Sequence, residues 1–249
     1  MQAYVGGIVP LSTVDWSANV CTVIFFSGCD FRCCYCYNKD FIDFKEEFLK
    51  DLNDVKKEII KNSSFIDAVL FSGGEACLQR QALLTLARFT KKLGLKVGIE
   101  TNGSKPYSIK SLINENLLDF IALDIKAPFK KEIFEGVTQS KTFFRTTEEV
   151  IENIKQTLNI LKENQDRIQI ELRTTVVPGL IFRKHDILEI AKEINGLNCR
   201  WVLQQFVSDK GTIDPKLGSV DPPTKKFLEN LKKECQKKYS SLRIDIKAV

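Results

Sequence analysis

The stretch Thr22-Val23-Ile24-Phe25-Phe26-Ser27-Gly28-Cys29-Asp30-Phe31-Arg32-Cys33-Cys34-Tyr35-Cys36 runs from an apolar β-type segment straight into a loop with four cysteines. A short β-branched and aromatic run reads as a strand, and the glycine after it permits a tight turn off the strand end. Cys29, Cys33 and Cys36 are separated by three and then two residues. Three thiolates at that spacing can wrap one cluster from a single loop. A cubane has four irons, so three Cys ligands leave one iron open, and an open position separates a reactive metal site from a closed structural one. Two other uses of the loop stand beside this one: a structural zinc site completed by Cys34 or a distant cysteine, and a plain electron carrier. Zinc sites favour two separated Cys pairs, which the loop lacks. Cys34 adjoins Cys33 and is expected to point away as a small buried residue.

Outward from this loop, β-type runs recur at residues 22–26, 67–71, 96–100, 120–125, 168–177 and 200–206. Helical patterns fill the gaps. Residues 45–61 place Phe48, Leu52, Val55 and Ile59 at helical spacing, and residues 148–163 do so with Ile151, Ile154, Leu158 and Leu161. Thr146 followed by Glu149 reads as a capping box for the second of these. Further helices are expected at 79–93, 108–115 and 185–194, with a last helix after Pro222-Pro223 and a closing strand at 242–246. Strands alternating with helices imply parallel pairing and right-handed crossovers, and six such units suit a partial barrel better than a closed eightfold one. The expectation is one α/β domain over residues 1–249, with a barrel core over about residues 20–210 and a C-terminal helix and strand at 223–247.

Composition narrows the function. At 249 residues and 43% hydrophobic content the chain can bury a full core. Its net charge of +5 comes from Lys residues spread along the chain, so neither nucleic acid nor a membrane surface is an expected partner. The opening MQAYVGGIVPLSTVDW lacks a basic start and an apolar core of signal length, and no stretch approaches the ~20 apolar residues of a membrane span. A cytoplasmic protein is expected. Four of the eight Cys lie within positions 29–36, the others being Cys21, Cys77, Cys199 and Cys235, and such clustering points to metal or redox chemistry rather than a disulfide framework. The single histidine, His185, leaves no room for a mechanism that needs two imidazoles; it reads as a surface or helix-start residue.

In parallel α/β architectures the reactive groups gather at the C-terminal ends of the strands, where loops and helix N-termini are free to meet a ligand. Four further motifs stand there. Ser72-Gly73-Gly74-Glu75 follows the second strand: two glycines let the backbone approach a ligand and Glu75 supplies an anion for an ammonium group. Glu100-Thr101-Asn102-Gly103 ends the third strand. Asp124-Ile125-Lys126 ends the fourth, its two charges alternating onto one side of the strand. Arg173 lies on the fifth strand in Arg173-Thr174-Thr175-Val176-Val177-Pro178-Gly179, where a surface salt bridge is its plainer use.

The Cys loop, with Tyr35 at the aromatic position before Cys36, resembles the radical S-adenosylmethionine superfamily. That resemblance implies a partial (β/α)6 barrel and one [4Fe–4S] cluster on Cys29, Cys33 and Cys36. It also implies reductive cleavage of S-adenosylmethionine, bound at the open iron, to a 5′-deoxyadenosyl radical. Gly73, Gly74 and Glu75 look like the superfamily's Gly-Gly-Glu, which contacts the methionine amino group; Ala76 stands where a Pro often follows. Glu100-Thr101-Asn102-Gly103 and Asp124-Ile125-Lys126 look like motifs of the glycyl radical enzyme activases. The implied cofactor contacts are Tyr35, Gly73, Gly74, Glu75, Thr101, Asn102, Asp124, Lys126 and Arg173, with a monovalent cation near Glu100 and Asp124.

The opening residues 6–16 and the segment Trp201-Val202-Leu203-Gln204-Gln205-Phe206 look like the activating proteins of anaerobic ribonucleoside-triphosphate reductase, although Tyr37 stands where that family commonly has His. The implied reaction is hydrogen abstraction from the α-carbon of one Gly in a large glycyl radical enzyme, with a reduced flavodoxin or ferredoxin as electron donor. Residues 207–222 are placed to meet that partner, since long loops at strand ends are commonly functional. A different glycyl radical protein or a small molecule as substrate, and an iron–sulfur electron carrier with no substrate, are the competing readings. A carrier would have no use for the ligand motifs at Gly73–Glu75 and Asp124–Lys126.

Overall fold

The computed structural model of the chain describes residues 1–208 and 211–248. It divides into two compact units: Met1–Asp30 with Asp40–Ala122, and Phe31–Lys39 with Leu123 onward.

The first unit holds β1 (Gln2–Ser12), β2 (Cys21–Phe26), β3 (Leu49–Asp51), α1 (Leu52–Asn62), β4 (Ala68–Gly73), α2 (Arg80–Lys92), β5 (Lys96–Thr101), α3 (Pro106–Asn114) and the start of β6 (Phe120–Asp124). Its strands run in the order β3-β1-β2-β4-β5. β2, β4 and β5 are parallel, in register from Cys21 opposite Ala68 to Phe26 opposite Gly73, while β1 pairs antiparallel with both β2 and β3. Buried on both faces, β2 and β4 are near-continuous apolar runs, as parallel strands covered by helices require. Trp16 stacks on Phe120 at 4.7 Å over Val23, Leu70 and Ala122, and Gly98 leaves the space that the Trp16 ring fills. Parallel pairing brings the C-terminal ends of β2, β4 and β5 side by side, which is where the Cys loop, the Gly-Gly-Glu and the Glu-Thr-Asn begin.

The second unit holds α4 (Lys131–Thr138), α5 (Thr147–Glu163), β7 (Gln169–Val176), α6 (Lys184–Ile194), β8 (Arg200–Gln205), α7 (Lys225–Lys238) and β9 (Arg243–Lys247). β7, β8 and β9 are parallel. The capping box forms: the Thr146 hydroxyl accepts from the Glu149 N–H while the Glu149 carboxylate accepts from the Thr146 N–H. The N–H of Ile125, just past β6, donates to the Arg173 carbonyl at 2.8 Å, and the Thr174 hydroxyl donates to the Ile125 carbonyl. The buried Trp201 indole in turn donates to Thr174 Oγ1.

The six expected strands form, as do the closing strand and the last helix. The helix expected over 45–61 does not start at its apolar Phe48. Residues Leu49–Asp51 pair instead with Gln2–Tyr4, and the Asp51 carboxylate caps a helix that begins at Leu52 by accepting from the Asn53 N–H. β1 and α4 answer to no expected element. Gly6 falls where the β1–β2 register shifts, and the Phe41 ring lies 2.4 Å from where its Cβ would be.

Candidate functional site

Each unit carries its own set of candidate residues. In the first, β2 delivers the chain into Gly28, whose φ of +95° is open to glycine at little cost. The N–H groups of Gly28 and Cys29 then donate to the carbonyls of Phe41 and Ile42, both at 2.8 Å, so Cys29 is pinned by its backbone while its side chain stays partly exposed. Gly73 and Gly74 are demanded by close backbone approach. A Cβ on Gly73 would fall 2.1 Å from the Phe26 carbonyl oxygen, and one on Gly74 would fall 2.4 Å from that of Gly28. The Glu75 N–H completes the contact by donating to the Gly28 carbonyl at 2.8 Å.

Glu75 is 1% exposed and accepts three hydrogen bonds: from the Cys77 N–H at 3.0 Å, the Thr101 hydroxyl at 2.8 Å and the Asn102 N–H at 2.7 Å. Burial, and then the charge of Asp30, push its pKa up to about 7, against the pull of those donors. Thr101 Oγ1 also accepts from the Gly103 N–H. Thr101 and Asn102 thus lock the end of β5 to the Gly-Gly-Glu loop. Glu100 takes a 2.5 Å hydrogen bond from Ser72 on the neighbouring strand.

Asp30, which the motif reading passed over, lies between two of the cluster-type cysteines and is the hub of a second network. Its carboxylate accepts from Asn102 Nδ2 at 2.9 Å and the Ser104 hydroxyl at 2.7 Å, and pairs with Lys105 Nζ at 3.1 Å. A carboxylate inside the Cys loop was the one available signal; its partners lie more than seventy positions away and announce nothing on their own.

The second unit holds Cys33, Cys34, Tyr35 and Cys36 beside Asp124 and Lys126. Lys126 pairs with Asp124 at 2.7 Å, and its ammonium lies 6.0 Å from the Tyr35 ring centroid. Burial pushes the Cys33 thiol up to about 12, with Lys126 the strongest influence in the opposite direction; Cys36 is raised by burial and lowered by Lys126 in the same way. For Lys126 itself burial opposes the charge, yet Asp124 and the neighbouring Tyr35 and Cys33 groups hold its pKa well above the ordinary lysine value. The Tyr35 hydroxyl is buried without a hydrogen-bond partner. Cys34 is buried and points its sulfur at the Val137 carbonyl at 3.5 Å, as expected of a packing residue.

Arg173 donates from Nε to Glu171 at 2.6 Å, with both side chains 11% exposed, so its ion pair is largely covered. His185 is exposed in the first turn of α6, 3.4 Å from Lys130 Nζ. Within the expected rim segment 207–222, Asp209 and Lys210 lie outside the described residues, while the N–H of Asp214 donates to the Cys34 carbonyl at 2.9 Å.

The donor chemistry suits an iron–sulfur cluster. All eight cysteines are free, three of them at the right spacing in one loop, and a lysine charge favours the thiolate form of two. The unpartnered Tyr35 hydroxyl beside them is a polar atom that a bound group would satisfy. Among the described residues no three His, Cys, Asp or Glu side chains are arranged to hold a metal ion, so the cluster assignment rests on the loop's chemistry and on kinship.

That kinship is plain. The family model described as the radical SAM superfamily matches residues 23–194. The chain belongs to this superfamily. As a member it takes the superfamily's cofactors, a [4Fe–4S] cluster and S-adenosylmethionine. A protein of Methanocaldococcus jannaschii, provisionally named a glycyl-radical enzyme activating enzyme, is 33% identical over 246 residues, covering 95% of this chain and 93% of its own. The pyruvate formate-lyase 1-activating enzyme of Escherichia coli K12 is 28% identical over 238 residues, covering 88% and 89%. A radical SAM methyltransferase structure from Sphaerobacter thermophilus superposes with a TM-score of 0.66 at 11% identity, over 98% of this chain and 77% of the other, a likeness of fold alone. The α/β partial-barrel fold of radical SAM enzymes is therefore the fold of this chain, and the chain resembles the activase group within them. Among the described residues no helix is long and apolar enough to cross a membrane.

Proposed function

We propose that this radical SAM enzyme is the activase of an anaerobic ribonucleoside-triphosphate reductase, removing a hydrogen atom from the α-carbon of one glycine in that large partner. The observation that carries the activase reading is the pairing of the three-Cys loop with near end-to-end similarity to proteins named as activating enzymes of glycyl radical proteins. The reductase as target is supported by the opening residues 6–16 and by residues 201–206, which look like that activase branch. Tyr37 departs from it.

In this reading Cys29, Cys33 and Cys36 hold the cluster. When bound, cluster and cosubstrate supply a one-electron cleavage of a carbon–sulfur bond that yields the hydrogen-abstracting radical. Everything else is positioning by the protein. Gly73 and Gly74 let the β4 end pack against the Phe26 and Gly28 carbonyls, which fixes the loop that would face the methionyl end of the cosubstrate. Glu75 fastens that loop to Thr101 and Asn102 and supplies the negative charge an ammonium group needs. Lys126, held by Asp124, offers a cation to a carboxylate, and Arg173 adds a second. Tyr35 presents its ring and hydroxyl to the cofactor. Glu100 and Asp124 are the acids that a monovalent cation would use. The donor of the electron is a reduced flavodoxin or ferredoxin, and the enzyme works in the cytoplasm as one domain.

The test is electron paramagnetic resonance. Reconstituted protein, a reductant and S-adenosylmethionine are incubated in turn with an anaerobic reductase and with pyruvate formate-lyase. A glycyl doublet on the reductase alone supports the proposal. A doublet on the lyase alone assigns the chain to another glycyl radical protein, the reading that the Escherichia coli relative favours.

A further inference from the structure

Cys34 stands between two of the cluster-type cysteines, and the protein engages it at three groups. Its N–H donates to the Val137 carbonyl at 3.2 Å, and its sulfur lies 3.5 Å from the same oxygen, at the end of α4. The Arg32 N–H donates to the adjoining Thr138 carbonyl at 2.8 Å, so α4 fastens the loop twice along its N–H groups. The Cys34 carbonyl is taken up by a different element. It accepts from the Asp214 N–H at 2.9 Å.

Asp214 is itself held firmly. Its carboxylate accepts from the Lys216 N–H at 2.9 Å and so caps the 3₁₀ turn Pro215–Ser219, whose Leu217 is buried. Its carbonyl accepts from the Leu217 N–H at 3.1 Å and from the hydroxyl of the buried Thr212 at 2.6 Å. The segment 207–222, expected to meet a partner, thus turns Thr212 and Leu217 into the protein's own interior and gives the Asp214 N–H to the Cys loop.

Metal ligands keep their orientation through the groups that hold them from behind, and loss of such a group weakens the site without touching the metal. A loop fastened to α4 alone can still swing about those bonds. A further bond from a separate element, on the residue between two ligands, removes that freedom. One backbone hydrogen bond changes a local opening equilibrium by about two- to tenfold.

We propose that Asp214 is a positioning residue for the cluster: its N–H, fixed by the capped turn behind it, holds the Cys34 carbonyl and so keeps Cys33 and Cys36 in their binding geometry. It acts through Cys34. The assignment rests on the reading of the Cys loop as a cluster site.

Three substitutions separate the parts. Asp214→Asn keeps the N–H and a side-chain acceptor for the cap, Asp214→Ala keeps the N–H alone, and Asp214→Pro removes both at a φ of −81° that proline tolerates. Each protein is reconstituted with iron and sulfide without oxygen, and the rate at which a ferrous chelator strips the iron is followed by loss of the cluster's visible absorbance. Hydrogen–deuterium exchange of residues 31–37 and urea unfolding are measured on the same proteins. Asp214→Pro is expected to lose iron about two- to tenfold faster, with exchange of residues 31–37 rising in parallel. Asp214→Asn should match the unaltered protein, and Asp214→Ala should fall between. Where Asp214→Pro does not fold, Thr212→Val, which removes the hydroxyl that anchors the Asp214 carbonyl, carries the same expectation. An unchanged rate in these variants overturns the proposal. So does an equal rise in Asp214→Asn, or a rise that only follows a fall in urea stability with exchange increased along the whole chain. An unaltered protein that takes up no iron would sink the cluster reading instead, and exchange of residues 31–37 would still decide whether Asp214 holds the loop.

Discussion

Replacing Glu75 by Gln exchanges an acceptor-only carboxylate for an amide with one donor end. The carboxylate accepts from Cys77 N–H and Thr101 Oγ1 on one oxygen and from Asn102 N–H on the other. Whichever way the amide is turned, its NH2 faces a buried backbone N–H, that of Asn102 or that of Cys77. One unpaired buried donor costs about 1–3 kcal/mol. The carboxylate has a cost of its own that depends on pH. Its pKa is raised from 4.5 to about 7 on folding, so between those values the folded state holds a proton that the unfolded state has released. Stability therefore falls as pH rises from about 4.5 to 7 and is level above, a loss of about 3 kcal/mol at 1.36 kcal/mol per pKa unit. Gln cannot ionise and loses nothing. The variant should thus be the less stable protein at pH 5, with the gap closing by about 3 kcal/mol and vanishing or reversing by pH 8. Urea unfolding of both proteins at pH 5, 6, 7 and 8 measures the gap, and titrating groups that do not interact with Glu75 cancel in the difference. A gap that stays constant or widens with pH would refute the reasoning.

Two further substitutions probe the same scaffold. Gly74→Ala puts a methyl group against the Gly28 and Phe41 carbonyl oxygens, at 2.4 and 2.6 Å. Backbone must move, and a loss of about 1–3 kcal/mol in denaturant stability is expected, together with lower iron content after reconstitution; full stability would show that the close approach is not required. Asp30→Ala strips Asn102, Ser104 and Lys105 of a common acceptor. It should lower the thermal midpoint, by about 1–3 kcal/mol in stability terms, while the same change at the exposed, singly paired Asp54 should do almost nothing; equal effects would remove Asp30 from its place as hub.

The parallel core was legible because its strands are apolar on both faces and end in glycine or polar motifs, as β2 and β4 show. β1, which pairs antiparallel between β3 and β2, was hidden by its composition. Gly6 yields to the Phe41 ring, and Pro10 breaks the β pattern, although its carbonyl still receives the Thr22 hydroxyl. α4 was hidden because it is eight residues long with Gly136 near its end, and it is held by burial of Phe134, Val137 and Thr138 more than by propensity. At the site, Glu75, Thr101 and Asn102 were visible as motif residues. That the three bond to one another, and that Asp30 gathers a second set, depends on strand ends brought together by parallel pairing across long stretches of chain. Sequence spacing carries no record of such contacts.

The central claim, that this chain cleaves S-adenosylmethionine by radical chemistry at its Cys loop, is tested most directly by counting 5′-deoxyadenosine. The protein is reconstituted with iron and sulfide without oxygen, given dithionite and S-adenosylmethionine, and compared chromatographically with a Cys33→Ala control. The account predicts 5′-deoxyadenosine from the unaltered protein and none from the control. A protein that holds four irons, yet forms no 5′-deoxyadenosine even with a glycyl radical partner present, would contradict it.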